Sequence, residues 1–315
     1  MTDLVTFGNG LLGLRTSASE RLATASQLDV RAGGSAAAAG VAARCLGTDT
    51  TWLSKLPDTP LGKRVYDGLG GTGMDLQVAW SNRGRQGTYF IEHAGPPRGT
   101  SIHYDMSDTA FTTISVDDFD LSPLRSADGF YVTGITLAIS EAARETTANL
   151  LRAARQSETT VTLNVNYQAG LWGTDEARET LTQLFPAVDV LMVSMADAGN
   201  VLGYEIDDPP QVAHRIAATH DFTTVVVLRE DRGAIAWHDN VVHDHKGYGS
   251  DIVDPIGDVD AFSGAFVARR VEGDDIHSAL NRATATAALK RTIPGDLATV
   301  TREEVERVVE RGERL

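Results

Sequence analysis

The stretch Asp254-Pro255-Ile256-Gly257-Asp258-Val259-Asp260-Ala261-Phe262 is where the fold becomes readable. Pro255 and Gly257 mark a loop, and the residues after them read as a helix over about 258–271. A helix starting there points unpaired backbone N–H groups and the positive end of its dipole at whatever lies in front. An acid such as Asp260 in the first turn is favoured by that dipole for structural reasons alone. The same geometry also receives phosphate. The local pattern leaves both open.

Outward from this junction, short apolar runs alternate with helix-length segments. Strands are expected at 4–7, 51–54, 129–133, 161–165, 188–193 and 223–228. Helices are expected at 35–46, 60–69, 140–156, 174–184, 210–220, 258–271, 276–290 and 302–311. That order argues for an α/β fold, a doubly wound, mainly parallel sheet with helices on both faces. Over 77–113 the pattern changes to alternation. Thr88, Phe90 and Glu92 interleave with Tyr89 and Ile91, and Pro96-Pro97 breaks the run. This reads as an antiparallel β insertion. With no long linker or repeat, residues 1–315 are expected to form one domain, with a small β lid over approximately 10–32 and 77–113.

Composition narrows the function classes. Lys+Arg total 28 against 43 Asp+Glu, a net charge of −15, and only Lys55, Lys63, Lys246 and Lys290 are lysines. An acidic, lysine-poor chain suits a protein kept soluble in concentrated salt. It does not suit a nucleic-acid groove, which needs a basic surface. The single Cys45 lies in an apolar stretch and reads as a small buried hydrophobe, not part of a disulfide or metal site. His238, His243 and His245 alternate, but a solvated strand explains them better than a metal site. No 18-residue apolar run and no signal-like start appear, so no membrane partner and a cytoplasmic location are expected.

The junction closely resembles the second signature of the ribokinase (PfkB) family, D-T-x-G-A-G-D-x-F. Gly33-Gly34 before the Ala-rich helix resembles that family's first signature. Residues 52–62, Thr88-Tyr89-Phe90, Tyr104-Asp105, Asn166-Tyr167 with Leu171-Trp172, and Arg291-Thr292-Ile293-Pro294-Gly295-Asp296 resemble 2-keto-3-deoxygluconate kinases in order along nearly the full chain. The resemblance implies a ribokinase-like fold and an ATP-dependent carbohydrate kinase. It implies Asp260 as the base that takes the sugar hydroxyl proton, and Gly257, Asp258 and Val259 as the phosphate cradle. Arg229, Gly233 and Asn281 fall on the nucleotide side. Gly33, Gly34, Tyr89, Tyr104 and Gln168 fall on the sugar side, and Asp197 is the candidate metal ligand. ATP and Mg2+ are implied, with K+ as a further cation, and so is a homodimer joined through the lid.

The sequence departs from the family at several of these positions. Asp258 and Val259 replace a small residue and a glycine, and Pro255 replaces Thr. A carboxylate about 5 Å from one phosphate charge costs on the order of 3 kcal/mol at an effective dielectric near 20. Asp258 is therefore expected to oppose phosphate unless a cation intervenes or the side chain turns away. Val259 keeps its N–H but cannot take a positive φ cheaply, and its branched side chain crowds the cradle. Leu228 and Glu230 alter the nucleotide strand, and Ser194-Met195-Ala196-Asp197 replaces the family's N-x-x-E. Met106 and Gln168 stand where the kinases use arginines against a carboxylate, Ala38 replaces a sugar-binding Asn, and Asn9 a Glu. A neutral sugar, or no sugar at all, is thus more compatible than a sugar acid. Two functions stay open: a carbohydrate kinase with a remodelled cradle, or a catalytically retired paralogue (a pseudokinase) acting in binding or assembly.

Overall fold

A computed structural model describes residues 2–17, 20–94, 97–205, 207–229 and 232–312. Its strands are β1 (Leu4–Phe7), β2 (Leu11–Arg15), β3 (Asp29–Gly33), β4 (Thr50–Pro57), β5 (Asp75–Ser81), β6 (Gly87–Glu92), β7 (Ser101–Asp105), β8 (Gly129–Thr133), β9 (Thr160–Asn164), β10 (Val190–Ser194), β11 (Thr224–Leu228), β12 (Ala234–His238) and β13 (Val241–His245). One sheet has the order β13-β12-β11-β10-β9-β8-β1-β4-β5, and a smaller one β3-β2-β6-β7. From β11 to β5 every pairing in the large sheet is parallel, and β12 and β13 add an antiparallel hairpin.

The parallel strands are buried on both faces, so their side chains sort by alternation into two cores. Leu191, Val193, Val225 and Val227 join the cluster under the helix Glu141–Gln156. Met192 and Val226 join the opposite cluster, beneath the helices Asp258–Val271 and Ile276–Arg291. On that second face the chain packs through small residues. Gly264 lies so close to the Ala39 carbonyl that a side chain there would collide with it. The Ala-rich helix Ser35–Cys45 therefore sits almost backbone to backbone with the helix Asp258–Val271. This contact sets two helix N-termini side by side at the sheet's carboxyl edge, where open α/β sheets bind ligands.

The four-stranded sheet holds most of the residues expected in the lid, and one expectation about it needs correction. Residues 77–81 belong to β5 in the large sheet, so the insertion starts later than expected. The antiparallel pairing expected within 77–113 is present between β6 and β7. β2 and β3 are antiparallel, as are β6 and β7, but β2 and β6 run parallel because their connection passes through the main sheet. His245 is buried, not solvated. Its ring packs on Tyr248 at 5.1 Å and pairs with the Thr284 hydroxyl at 3.1 Å.

Candidate active site

Gly257 caps the helix Asp258–Val271 at φ 84°, and a Cβ there would strike the Asp296 carbonyl oxygen. Only glycine meets both demands. The left-handed residue is thus Gly257, and Val259 sits inside the helix, which removes the backbone strain expected at Val259. The Val259 side chain is exposed and does not fill the interior.

Asp260 lies in the first turn, and its carboxylate accepts a hydrogen bond from the Ser35 hydroxyl. Asn166 Nδ2 donates to that hydroxyl at 2.9 Å, and Gln168 Nε2 donates to Asn166 Oδ1 at 3.2 Å. The sugar-side glutamine is therefore joined to the candidate base by a chain of neutral groups. Asn166 follows β9 and takes φ 36°, a left-handed conformation that asparagine tolerates better than most residues. Burial pushes Asp260 up to about 7, with the Asp258 charge adding to the rise and Ser35 and Lys290 opposing it. A carboxylate poised there suits proton transfer near neutral pH.

Opposite Asp260, the lid contributes two tyrosines from directly paired positions on β6 and β7. Tyr89 and Tyr104 lie 6.1 Å apart between ring centroids. Burial raises both phenol pKa values, and the Asp260 charge raises them further. The Tyr89 hydroxyl donates to Asp296, which also pairs with Arg15. Arg15 bridges to Asp254 at 2.6 Å, and both ends of that pair are buried. Gly33 lies against the Tyr89 hydroxyl and Asp296. Gly34, at φ 128°, passes close to the Asn9 carbonyl before the Ala-rich helix. Contacts thus gather Gly33, Tyr89, Tyr104, Gln168, Gly257 and Asp260 around the Asp260 and Asp296 carboxylates, with Gly34 beside them at the start of the Ala-rich helix. Sequence reading assigned no role to Ser35, Asn166, Arg15, Asp254 or Asp296. Asn166, Asp254 and Asp296 stood inside quoted family-like segments; the partners of Ser35 and Arg15 are set only by tertiary contact.

Asp258 does not stand alone. Its carboxylate lies 3.5 Å from the Arg291 guanidinium, and Lys290 also faces it. The expected repulsion of phosphate is therefore countered by a cation from the next helix. Met106 and Asn9 likewise turn inward. Met106 packs with Leu11, Tyr89, Ile91 and Ile135, and Asn9 Nδ2 donates to its sulfur at 3.5 Å.

The nucleotide-side candidates sit on the flank formed by β11–β13. Arg229, with Gly233 packed against its guanidinium, pairs with Asp244 at 2.9 Å. Asn281 accepts a hydrogen bond from Tyr248, whose carbonyl in turn accepts one from Arg291 at 3.0 Å. Asn281 is thus linked to the cradle through Arg291. Glu230 lies outside the described residues. Asp197, in the short helix Met195–Asn200, accepts from the Tyr167 N–H at 3.3 Å beside the Asn166 turn. Burial raises its pKa. Among the described residues no group of three or more His, Cys, Asp or Glu side chains could hold a metal ion. Among the described residues no helix is long and apolar enough to cross a membrane.

A parallel sheet, a β lid and an acid at a glycine-capped helix N-terminus describe a phosphotransferase cleft, and the comparisons with known proteins agree. The pfkB family carbohydrate kinase model matches residues 1–302, and the chain belongs to that family. It is 44% identical over 312 residues to the 2-dehydro-3-deoxygalactonokinase of Haloferax volcanii, covering 99% of this chain and 98% of that one. The crystal structure of Thermotoga maritima 2-dehydro-3-deoxygluconokinase superposes with a TM-score of 0.93 at 28% identity, covering 98% of each chain. An E. coli putative ribokinase II, solved in complex with ATP and Mg2+, shares the fold at a TM-score of 0.89 and 20% identity, covering 99% of this chain and all of that one. The protein is a carbohydrate kinase, an ATP-dependent phosphotransferase; nothing in these relatives supports the retired alternative.

Proposed function

We propose that this kinase phosphorylates a hydroxyl of a 2-dehydro-3-deoxy sugar acid, 2-dehydro-3-deoxygalactonate before its gluconate epimer, with Asp260 as general base. The observation that carries the catalytic part is the joint placement of Asp260, Ser35 and the Gly257-capped helix start in one cleft. The substrate class is carried by the likeness to the Haloferax enzyme over almost the whole of both chains. Against the neutral sugar expected from Met106 and Gln168, this reading has the carboxylate held by neutral donors, the Asn166 and Gln168 amides and the Tyr104 hydroxyl. Gly33 and Gly34 keep the backbone close to the sugar.

In the reaction the substrate hydroxyl oxygen bonds to the γ-phosphorus as the bond to the β–γ bridging oxygen breaks and ADP leaves. The hydroxyl proton passes to Asp260. The N–H of Gly257, and those of Asp258 and Val259 once released from the Pro255 carbonyl and the Asp258 carboxylate that now accept them, would meet the charge spread over the non-bridging oxygens. Arg229, Gly233 and Asn281 would flank the nucleotide. Asp197 would hold Mg2+ through water, and the ion would supply further neutralisation of phosphate charge. Residues 1–315 act as one unit, and the lid, with β3 and β7 at its edges, is the proposed face between two subunits.

The test is phosphate transfer from Mg-ATP in molar KCl to 2-dehydro-3-deoxygalactonate, 2-dehydro-3-deoxygluconate, fructose and ribose. The acids are expected to exceed the neutral sugars in kcat/KM by at least about tenfold. Asp260→Asn is expected to lower kcat by about a thousandfold, within the range of general-base catalysis. Because the active form of Asp260 is the ionised one, kcat/KM should rise with pH through about 7. Preference for fructose or ribose refutes the acid substrate, and undiminished turnover by Asp260→Asn refutes the base.

A further inference from the structure

Lys290 is one of four lysines in the chain, and its side chain is fully buried. It is the penultimate residue of the helix Ile276–Arg291, and its Nζ donates to the Asp254 carbonyl and the Ile293 carbonyl, each at 3.1 Å. The first carbonyl opens the junction loop that leads to Gly257, and the second belongs to the turn leading to Asp296. Around the ammonium stand Asp254 in the loop, Asp258 and Asp260 in the neighbouring helix, and Arg15 from the lid; Arg291 follows it in its own helix. Arg15 is committed to Asp254 and Asp296, and Arg291 to Asp258, Ser250 and the Tyr248 carbonyl. Four carboxylates thus meet two paired guanidiniums. Lys290 is a further cation among them, and the charge of Arg232 also reaches Asp258.

We propose that Lys290 is a tethered monovalent cation. Its ammonium clips the junction loop to the turn before Asp296 and offsets the acidic cradle, so that no free K+ is needed there. The idea rests on the reading of Gly257–Asp260 as the phosphoryl site. It makes Lys290 a positioning residue, since it contacts the loop and not the reacting atoms. Carbonyl oxygens beside a carboxylate are also what a small free cation would take as ligands. A cavity of about 520 Å³ lined by Asp254, Pro294, Arg15 and His93 reaches the edge of this spot from solvent. Shortening the side chain should therefore leave a space that an added cation can enter.

The experiment compares wild type, Lys290→Ala, Lys290→Met and Lys290→Arg in molar tetramethylammonium chloride, with and without added KCl or methylammonium chloride at constant ionic strength. Turnover and thermal melting are both read. Wild type and Lys290→Arg should be indifferent to the cation once folding is confirmed by circular dichroism. Lys290→Ala should lose about a hundredfold in kcat, recover at least tenfold with K+ or methylammonium, and rise in melting temperature with the same cations. Lys290→Met, which fills the space without charge, should stay low and unrescued. A wild type that remains folded in tetramethylammonium yet requires K+ for turnover overturns the proposal without any variant. So does a folded Lys290→Ala that no small cation rescues, or a Lys290→Met with wild-type kcat. If no sugar is phosphorylated by any form, the phosphoryl-site reading has failed. The cation-dependent melting of Lys290→Ala against Lys290→Met then still reports on the tether.

Discussion

The two sides of the cleft treat polarity in opposite ways. On the phosphate side, Asp254, Asp258, Asp260 and Asp296 crowd one junction, and Arg15, Lys290 and Arg291 answer them from the lid and from a helix ending beside it. On the sugar side, the positions that could have carried arginines hold Met106, sunk among Leu11, Ile91 and Ile135, and Gln168, tied into a chain of amides and hydroxyls. One side is charged and compensated, the other neutral and packed. A charge introduced at the phosphate side is tolerated because a partner is already built in. A charge lost at the sugar side leaves no gap, because apolar contacts and amides have closed over it. On the proposed roles, the substrate surface can therefore change without touching the residues that would receive phosphate.

The largest expected break in this picture comes from the backbone of the charged side. Gly257→Ala must abandon φ 84° or push the Asp296 carbonyl away, and either movement turns the cradle's N–H groups from their target. Holding alanine in that conformation costs about 1–3 kcal/mol. We expect kcat to fall by about a hundredfold, with a lower melting temperature. The same substitution at Gly273, which is also left-handed but has nothing within 4 Å, should lower stability and leave turnover alone. Equal loss of turnover in both variants would mean that strain, not placement at the cradle, explains the effect. Steady-state kinetics beside thermal melts separate the two.

A smaller effect tests the compensation. Arg291→Met takes away the cation that acts most strongly on Asp258 and leaves Lys290 and Arg232, and we expect KM for ATP to rise by about tenfold, equivalent to about 1.4 kcal/mol. Adding Asp258→Asn should restore most of that loss, since the charge needing an answer is gone. Asp258→Asn alone also removes a charge that raises the Asp260 pKa, so the acid limb of the pH profile should move below 7. A double variant no better than Arg291→Met would show that Arg291 acts through the Ser250 and Tyr248 contacts of its loop and not through Asp258.

These cases mark what was legible in the sequence. The parallel plan was, because strands such as Val190–Ser194 and Thr224–Leu228 are buried on both faces and so appear as unbroken apolar runs. Helix limits were legible where caps are local: Ser140 and Thr301 each accept from the backbone three residues on. Asp260, Gly257 and the tyrosines were singled out through family resemblance, and the fold brings them near one another. The charge balance was not. Asp258 read as an obstacle because its partner Arg291 lies in another helix, and no spacing rule relates the two. The parallel β2–β6 pairing was hidden for a related reason, since alternation fixes the faces of a strand but not its direction.

The finest test lies on the neutral side. If Met106 is a packing residue that closes the sugar pocket, Met106→Leu keeps its volume and loses only an adaptable thioether beside Asn9. Volume-conserving apolar exchanges cost less than about 1.5 kcal/mol, and kcat/KM for the sugar acid should change by no more than about threefold. Met106→Arg puts the opposing idea to the same measurement. Were the position a carboxylate subsite waiting for its arginine, this variant would raise kcat/KM for the acid over that for fructose. Packed against Leu11, Ile91 and Ile135, however, a guanidinium must shed its water without a fixed partner. We therefore expect the variant to melt lower and to turn over both sugars more slowly, with no gain in preference for the acid. A gain would mean that the pocket still carries the geometry of a charged ancestor, and that its neutrality is only one residue deep.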